Sequence, residues 1–139
     1  MYHLAILQTK GDWLKKIIDG KKTIESRWYK NKRSPYKQIA KDDIVYFKES
    51  GKQVTIKSKV SQVLFFEDLD EDKIKSILEE YGELICLPVS YARELKGKNY
   101  CTLIFLENVE QIEPFSIDKT GYGMMSAWIT LEDINQIRK

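Results

Sequence analysis

The chain is poor in the residues that most catalytic and metal sites require. Among 139 residues there is a single histidine, His3, and only two cysteines, Cys86 and Cys101. One histidine excludes a histidine-pair mechanism. Two cysteines so far apart offer no zinc-ligand spacing, so no metal site is expected. Each cysteine sits among apolar neighbours, which points to two buried thiols rather than a disulfide. No cofactor is expected, and none of the apolar runs approaches the length of a membrane span. The N-terminus, Met-Tyr-His-Leu-Ala, lacks the charged-then-apolar pattern of a secretory signal, so a cytoplasmic location and no membrane partner are expected. A Ser-His or Cys-His pair would have to use His3, which falls in an expected first strand.

Acidic residues are missing from one stretch in particular. Between Lys21 and Lys41 the only acid is Glu25, against Lys21, Lys22, Arg27, Lys30, Lys32, Arg33, Lys37 and Lys41. That segment carries a formal charge of +7, which leaves −5 for the rest of a chain whose net charge is +2. Segregation of this kind gives a face suited to an anionic partner. Trp28, Tyr29 and Tyr36 are interleaved with the cations, and basic plus aromatic side chains are what a phosphate backbone and an unstacked base require.

Length and composition indicate one domain over residues 1–139, with apolar residues making up 42% of the chain and a normal core. Alternation predicts strands over 2–8, 22–29, 44–48, 53–66 and 100–107, with a continuation at 109–112 and a further strand over 126–129. A change of parity between Ile56 and Val60 predicts a bulge. A short helix is expected over 11–19, ended by Gly20, and a longer one over 70–81, capped by Asp70 and followed by Gly82. Ser90–Leu95 reads as a short helix. Pro114-Phe115 reads as a break, and Thr130 as the cap of a last helix. Irregular β structure with peripheral helices implies an α+β fold around a small barrel.

The strand over 22–29 holds the most chemistry. Ile24, Ser26 and Trp28 share one face and Glu25, Arg27 and Tyr29 the other, so Ile24 and Trp28 are expected to be the more buried set. Glu25 and Arg27 lie about 7 Å apart between Cα atoms. They form either a half-exposed charge pair or the floor of a cleft, where the carboxylate accepts base or ribose donors and the guanidinium binds phosphate. Lys22 enters the same strand from the turn at Gly20. Lys30, Lys32, Arg33 and Lys37, with Tyr29 and Tyr36, form a loop suited to binding. Lys119 and Tyr122 lie in a glycine-bearing turn, Gly121-Tyr122-Gly123, where a backbone can approach a ligand closely.

Gly20-Lys21-Lys22-Thr23-Ile24-Glu25-Ser26-Arg27 resembles the Gly-x-Lys-x-x-Glu-x-Arg signature of the ASCH domain family, part of the PUA-like superfamily. Lys41-Asp42-Asp43-Ile44 resembles the family's Gly-Asp element before a strand, with Asp42 in place of the glycine. The stretch from Pro114 to Trp128 resembles longer members. The resemblance implies a PUA-like small β-barrel with flanking α-helices and a cleft lined by Lys22, Glu25 and Arg27. It implies binding of RNA, another single-stranded nucleic acid or a modified nucleoside. In that reading Lys22, Glu25, Arg27, Tyr29, Lys30, Lys32, Arg33, Tyr36, Lys37, Lys119 and Tyr122 are the contacts, with Lys119 or Tyr122 bordering the cleft. The alternative it implies is a small hydrolase. Some small ASCH proteins remove the acetyl group from acetylated cytidine with the motif lysine, a threonine three residues later and a distant glutamate, and others are ribonucleases. This sequence keeps Lys22 and has Glu25 where that threonine stands, so Lys22 and Glu25 would be the acid/base pair of such an enzyme.

Overall fold

A computed structural model describes residues 1–123 and 125–139. The elements run β1 (Tyr2–Leu7), α1 (Trp13–Ile18), β2 (Ile24–Tyr29), β3 (Ile44–Glu49), β4 (Val54–Phe66), α2 (Glu71–Ile85), a 3₁₀ turn at Val89–Arg93, β5 (Tyr100–Phe115), β6 (Trp128–Leu131) and a second 3₁₀ turn at Ile134–Gln136. The six strands form one mixed sheet in the order β2-β5-β4-β3-β1-β6. Only β1 and β3 are parallel. The sheet curls into a half-barrel carrying two helices.

Curling comes from the two long strands. β4 and β5 span 13 and 16 residues, and their ladder shifts register three times. Each shift places one or two extra residues on one strand and bends it. One falls between Lys57 and Lys59, where the change of hydrophobic parity predicts it. Side chains on successive residues therefore feed different cores. Ile104 packs with Ala5, Val45, Phe47, Ile56 and Val60 inside the curl. Its neighbour Leu103 faces outward, beneath Ile74, Ile77 and Leu78 of α2. Leu4, Val54, Phe115, Ile129, Leu131, Ile134 and Ile137 form a third cluster at the far end. Truncating any of the fully buried isoleucines to alanine is expected to cost about 2–5 kcal/mol.

Several expected boundaries move, each for a local reason. α2 runs past Gly82 to Ile85. That glycine serves a close approach: a Cβ there would lie 2.6 Å from the Leu87 carbonyl oxygen. The helix ends instead at Cys86, in the left-handed region with φ 69°. Asp70 caps its start, accepting from the Lys73 N–H at 2.8 Å. Pro114-Phe115 does not break β5, because the strand carries on through both residues beside Val54. Thr130 lies in β6, and the last expected helix is a three-residue 3₁₀ turn capped by Asp133. Asp42 has φ 75°, a conformation that explains a glycine preference and that aspartate tolerates better than most residues. Cys101 is buried and Cys86 partly so, and both are free thiols. Among the described residues no helix is long and apolar enough to cross a membrane.

Candidate functional site

The sheet does not close on itself through backbone pairing between β2 and β6 among the described residues. A side chain bridges the seam. Arg27, on the edge strand β2, donates from Nη1 to the Ala127 carbonyl at 3.3 Å and from Nη2 to the Ile6 carbonyl at 3.4 Å. Its guanidinium carbon lies 5.1 Å from the centre of the Trp128 ring. The three residues of the motif converge at this seam.

Gly20, at φ 76°, turns the chain out of α1. Lys22 follows, its backbone N–H held by the Lys16 carbonyl. Its side chain then runs inward, with Nζ 5.2 Å from the Trp13 ring centre. Nζ donates to the carbonyls of Ile24 (3.1 Å) and Ile85 (2.9 Å) and pairs with Glu25 Oε1 at 3.4 Å. Three acceptors therefore meet the three N–H bonds of the ammonium. Glu25 Oε1 also accepts the Ser26 backbone N–H at 3.1 Å, and Oε2 accepts from Arg27 Nη2 at 3.2 Å. Burial alone would push the Glu25 carboxyl up. The charges and hydrogen bonds of Lys22 and Arg27 outweigh it and hold the group below the usual carboxylate range, so it is ionised.

The parity argument for β2 holds for direction and fails for burial. Glu25 is 4% exposed and Ile24 fully buried, whereas Trp28 is only partly covered. Alternation predicts exposure on the polar face only when that face meets water. Here α2 covers one side and the seam residues cover the other, so Glu25 is buried like Ile24 although it lies on the polar face.

Above this floor opens a cavity of about 450 Å³, within the size range of small-molecule sites. Lys22, Glu25 and Arg27 form its base, and Trp13, Trp28, Tyr29 and Tyr91 supply aromatic walls. Trp13 serves two roles, packing on one side against the core cluster of Ile17 and Phe47 and lining the cavity on the other. Tyr91 rides on the 3₁₀ turn Val89–Arg93, which answers to the short helix expected over Ser90–Leu95, but no spacing in 84–98 ties its side chain to the motif. Their position follows from the sharp return of the chain at Gly82 and Leu87.

The basic loop sits beside this cavity. Among the described residues none of Lys30, Lys32, Arg33 and Lys37 has a carboxylate within ion-pair distance. Lys32, Arg33 and Lys37 line a second hollow of about 290 Å³ with Tyr36 and Glu67. Tyr36 is not an exposed stacking surface. It is 6% exposed and packs edge-on to Phe65 and Tyr100, which fastens the loop to the sheet. Lys30 is exposed and lies outside the main cavities. Neither Lys119 nor Tyr122 borders the cavity over the motif. Lys119 donates to the Ser126 carbonyl at 2.8 Å and so braces its own loop, while Tyr122 is exposed. His3 is fully buried, and the described residues contain no cluster that could hold a metal ion.

The ASCH domain model matches residues 7–137, nearly the whole chain. This protein belongs to the ASCH domain family. An ASCH protein from Zymomonas mobilis superposes with a TM-score of 0.71 at 17% identity, over 97% of this chain and 90% of that one. A mutant of that protein gives 0.70 at 18% identity, over 94% and 90%. The hypothetical protein PH0355 gives 0.51 at 26% identity, over 81% of this ASCH domain and all of that chain. No curated protein matches the sequence.

Proposed function

We propose that this ASCH domain binds RNA or a modified nucleotide, taking one base into the cavity over Lys22, Glu25 and Arg27. The observation that carries the reading is the pairing of a polar, fully charged floor with aromatic walls, next to a loop of uncompensated cations. Aromatic walls stack any base face, and stacking is worth about 1–3 kcal/mol per base. The floor then reads the edge. Arg27 has five N–H donors and uses three on Ala127, Ile6 and Glu25. Its remaining donors, and the free lone-pair site on Glu25 Oε2, suit a base edge that sets an acceptor beside a donor. A PUA-like barrel, the wider class that the family resemblance implies, accords with this use of a seam between strands.

Binding is favoured over hydrolysis by the state of Lys22. Its ammonium is matched to three protein acceptors, so it has no proton directed at a substrate or water. Fluorescence anisotropy with single-stranded RNA, single- and double-stranded DNA and free modified nucleosides tests the proposal. Single-stranded RNA or a modified nucleoside should bind and quench the tryptophan emission of Trp13 and Trp28. Absence of binding to every probe at low salt overturns it.

A further inference from the structure

A third hollow, of about 250 Å³, adjoins the base cavity and shares Tyr29 and Ala127 with it. Arg33, Ser34, Met125, Ser126 and Trp128 complete its lining, and no acidic residue is among them. We propose that this hollow is a phosphate subsite. It would hold the phosphate joined to the nucleotide whose base enters the first cavity, with Arg33 as its principal ligand. The inference rests on the base-cavity reading above and adds the substrate's charge and polarity to it.

Three observations converge. The first is contiguity: two hollows that meet across one tyrosine and one backbone segment can hold two parts of one small molecule. In a nucleotide the phosphate lies one sugar away from the base, so adjoining hollows that share Tyr29 and Ala127 suit its two ends. The second is the state of Arg33. Its guanidinium carbon lies 5.3 Å from the Tyr29 ring centre, which orients the plane without using an N–H bond. Among the described residues its side chain makes no hydrogen bond and has no carboxylate within 4 Å, while its backbone carbonyl accepts the Tyr36 N–H at 2.8 Å. Its donors are therefore all available in a fork that matches two phosphate oxygens. Arg27, by contrast, spends most of its donors on the protein. The third is the field. Lys30, Lys32 and Lys37 flank Arg33 in the same loop, and Glu67, which lines the second hollow, is not among the residues of this one, so a dianion or a diester meets a net positive charge.

A phosphomonoester at a nucleotide's end and a diester inside a strand present the same oxygens to Arg33. Isothermal titration at low, fixed salt with the four nucleosides, their 5′- and 3′-monophosphates and dinucleoside monophosphates separates these. The preferred phosphorylated probe should bind about tenfold to a hundredfold more tightly than its nucleoside, the worth of one or two charge-assisted hydrogen bonds. A gain with monophosphates marks an end-recognising subsite, and a gain confined to the dinucleoside monophosphates marks an internal diester. Arg33→Ala should remove that gain while lowering nucleoside affinity far less, through the loss of its stacking on Tyr29, and Arg33→Lys should keep part of the gain. Arg33 makes no packing or ion-pair contribution to the core, and circular dichroism checks that the variants fold. Equal affinity for nucleosides and nucleotides, or equal losses for both in Arg33→Ala, overturns the subsite and leaves the base cavity standing. No binding of any probe, nucleosides included, overturns the base cavity and the subsite with it.

Discussion

The indole of Trp128 donates its N–H to His3 Nδ1 at 3.2 Å while its ring faces the Arg27 guanidinium at 5.1 Å. An indole nitrogen can only donate, so His3 Nδ1 is an acceptor and the proton sits on Nε2, which donates to Asp43 at 2.8 Å. A buried relay thus runs from Asp43 through a neutral imidazole and a tryptophan to the arginine at the base of the cavity. The tautomer of one residue fixes the seat of another two layers away.

This relay makes stability pH-dependent. Burial lowers the His3 pKa, and the neighbouring Asp43 opposes that only in part. Between the folded value and the unfolded value of about 6.5 the unfolded chain binds a proton that the folded chain does not. Stability is therefore complete above about pH 6.5 and falls as pH drops toward the folded pKa. Urea denaturation at pH 7.5 and pH 5.5 should show the loss, and His3→Gln should be less stable at pH 7.5 yet change less between the two. A pH slope identical in the two proteins would remove His3 as its source.

Glu25 is the hinge of the motif's charge balance. Its carboxylate sits between Lys22 and Arg27, with all three side chains largely out of water. Glu25→Ala leaves two buried cations facing one another and should cost about 3–5 kcal/mol in denaturant unfolding. Glu25→Gln, which keeps the shape and part of the hydrogen bonding, should cost less. In binding, Glu25→Ala should lower ligand affinity more than Lys32→Ala, since a loop lysine contributes one screened contact. Equal affinity losses would mean that no specific site lies over the motif.

The positions of the motif residues along one strand were legible because alternation and the turn glycine are local signals. Gly20 does take a left-handed φ, and Ile24–Tyr29 is a strand. The enclosure of Glu25 was not legible, because it depends on Ile85 from α2 and on Ala127 and Trp128 from the far end of the chain. Tyr36 misled for a related reason. In sequence it is an aromatic among cations, and only the crossing of its loop over Phe65 and Tyr100 turns it into an anchor. Boundaries at Gly82 and Pro114 moved because tertiary neighbours gave each residue a role other than termination.

The unpaired loop sets a salt dependence. Lys30, Lys32, Arg33 and Lys37 would release counterions from a bound strand, and three or four phosphate contacts give log K a slope of roughly −2 to −3 against log salt for single-stranded nucleic acid. Lys32→Ala and Lys37→Ala should each flatten the slope by about 0.7 if each meets one phosphate. Affinity that does not change between two salt concentrations would show that the loop is solvated surface only.

Lys22 separates a binding domain from a hydrolase. Its Nζ satisfies the Ile24 and Ile85 carbonyls and one face of Glu25, which ties β2 to the end of α2. Lys22→Met keeps the aliphatic stem beneath Trp13 but orphans both carbonyls and leaves Glu25 with Arg27 alone. The variant should lose about 3 kcal/mol or more of stability, because a broken buried ion pair adds to the unmet hydrogen bonds. Its ligand affinity should fall with the displacement of Glu25, and neither protein should turn over acetylated cytidine. Chromatographic assay of acetylated cytidine with wild type and Lys22→Met, read beside their thermal melts, checks both halves. Turnover by wild type that Lys22→Met abolishes while its melting temperature stays unchanged would make Lys22 a catalytic residue and replace the binding reading with the hydrolytic one.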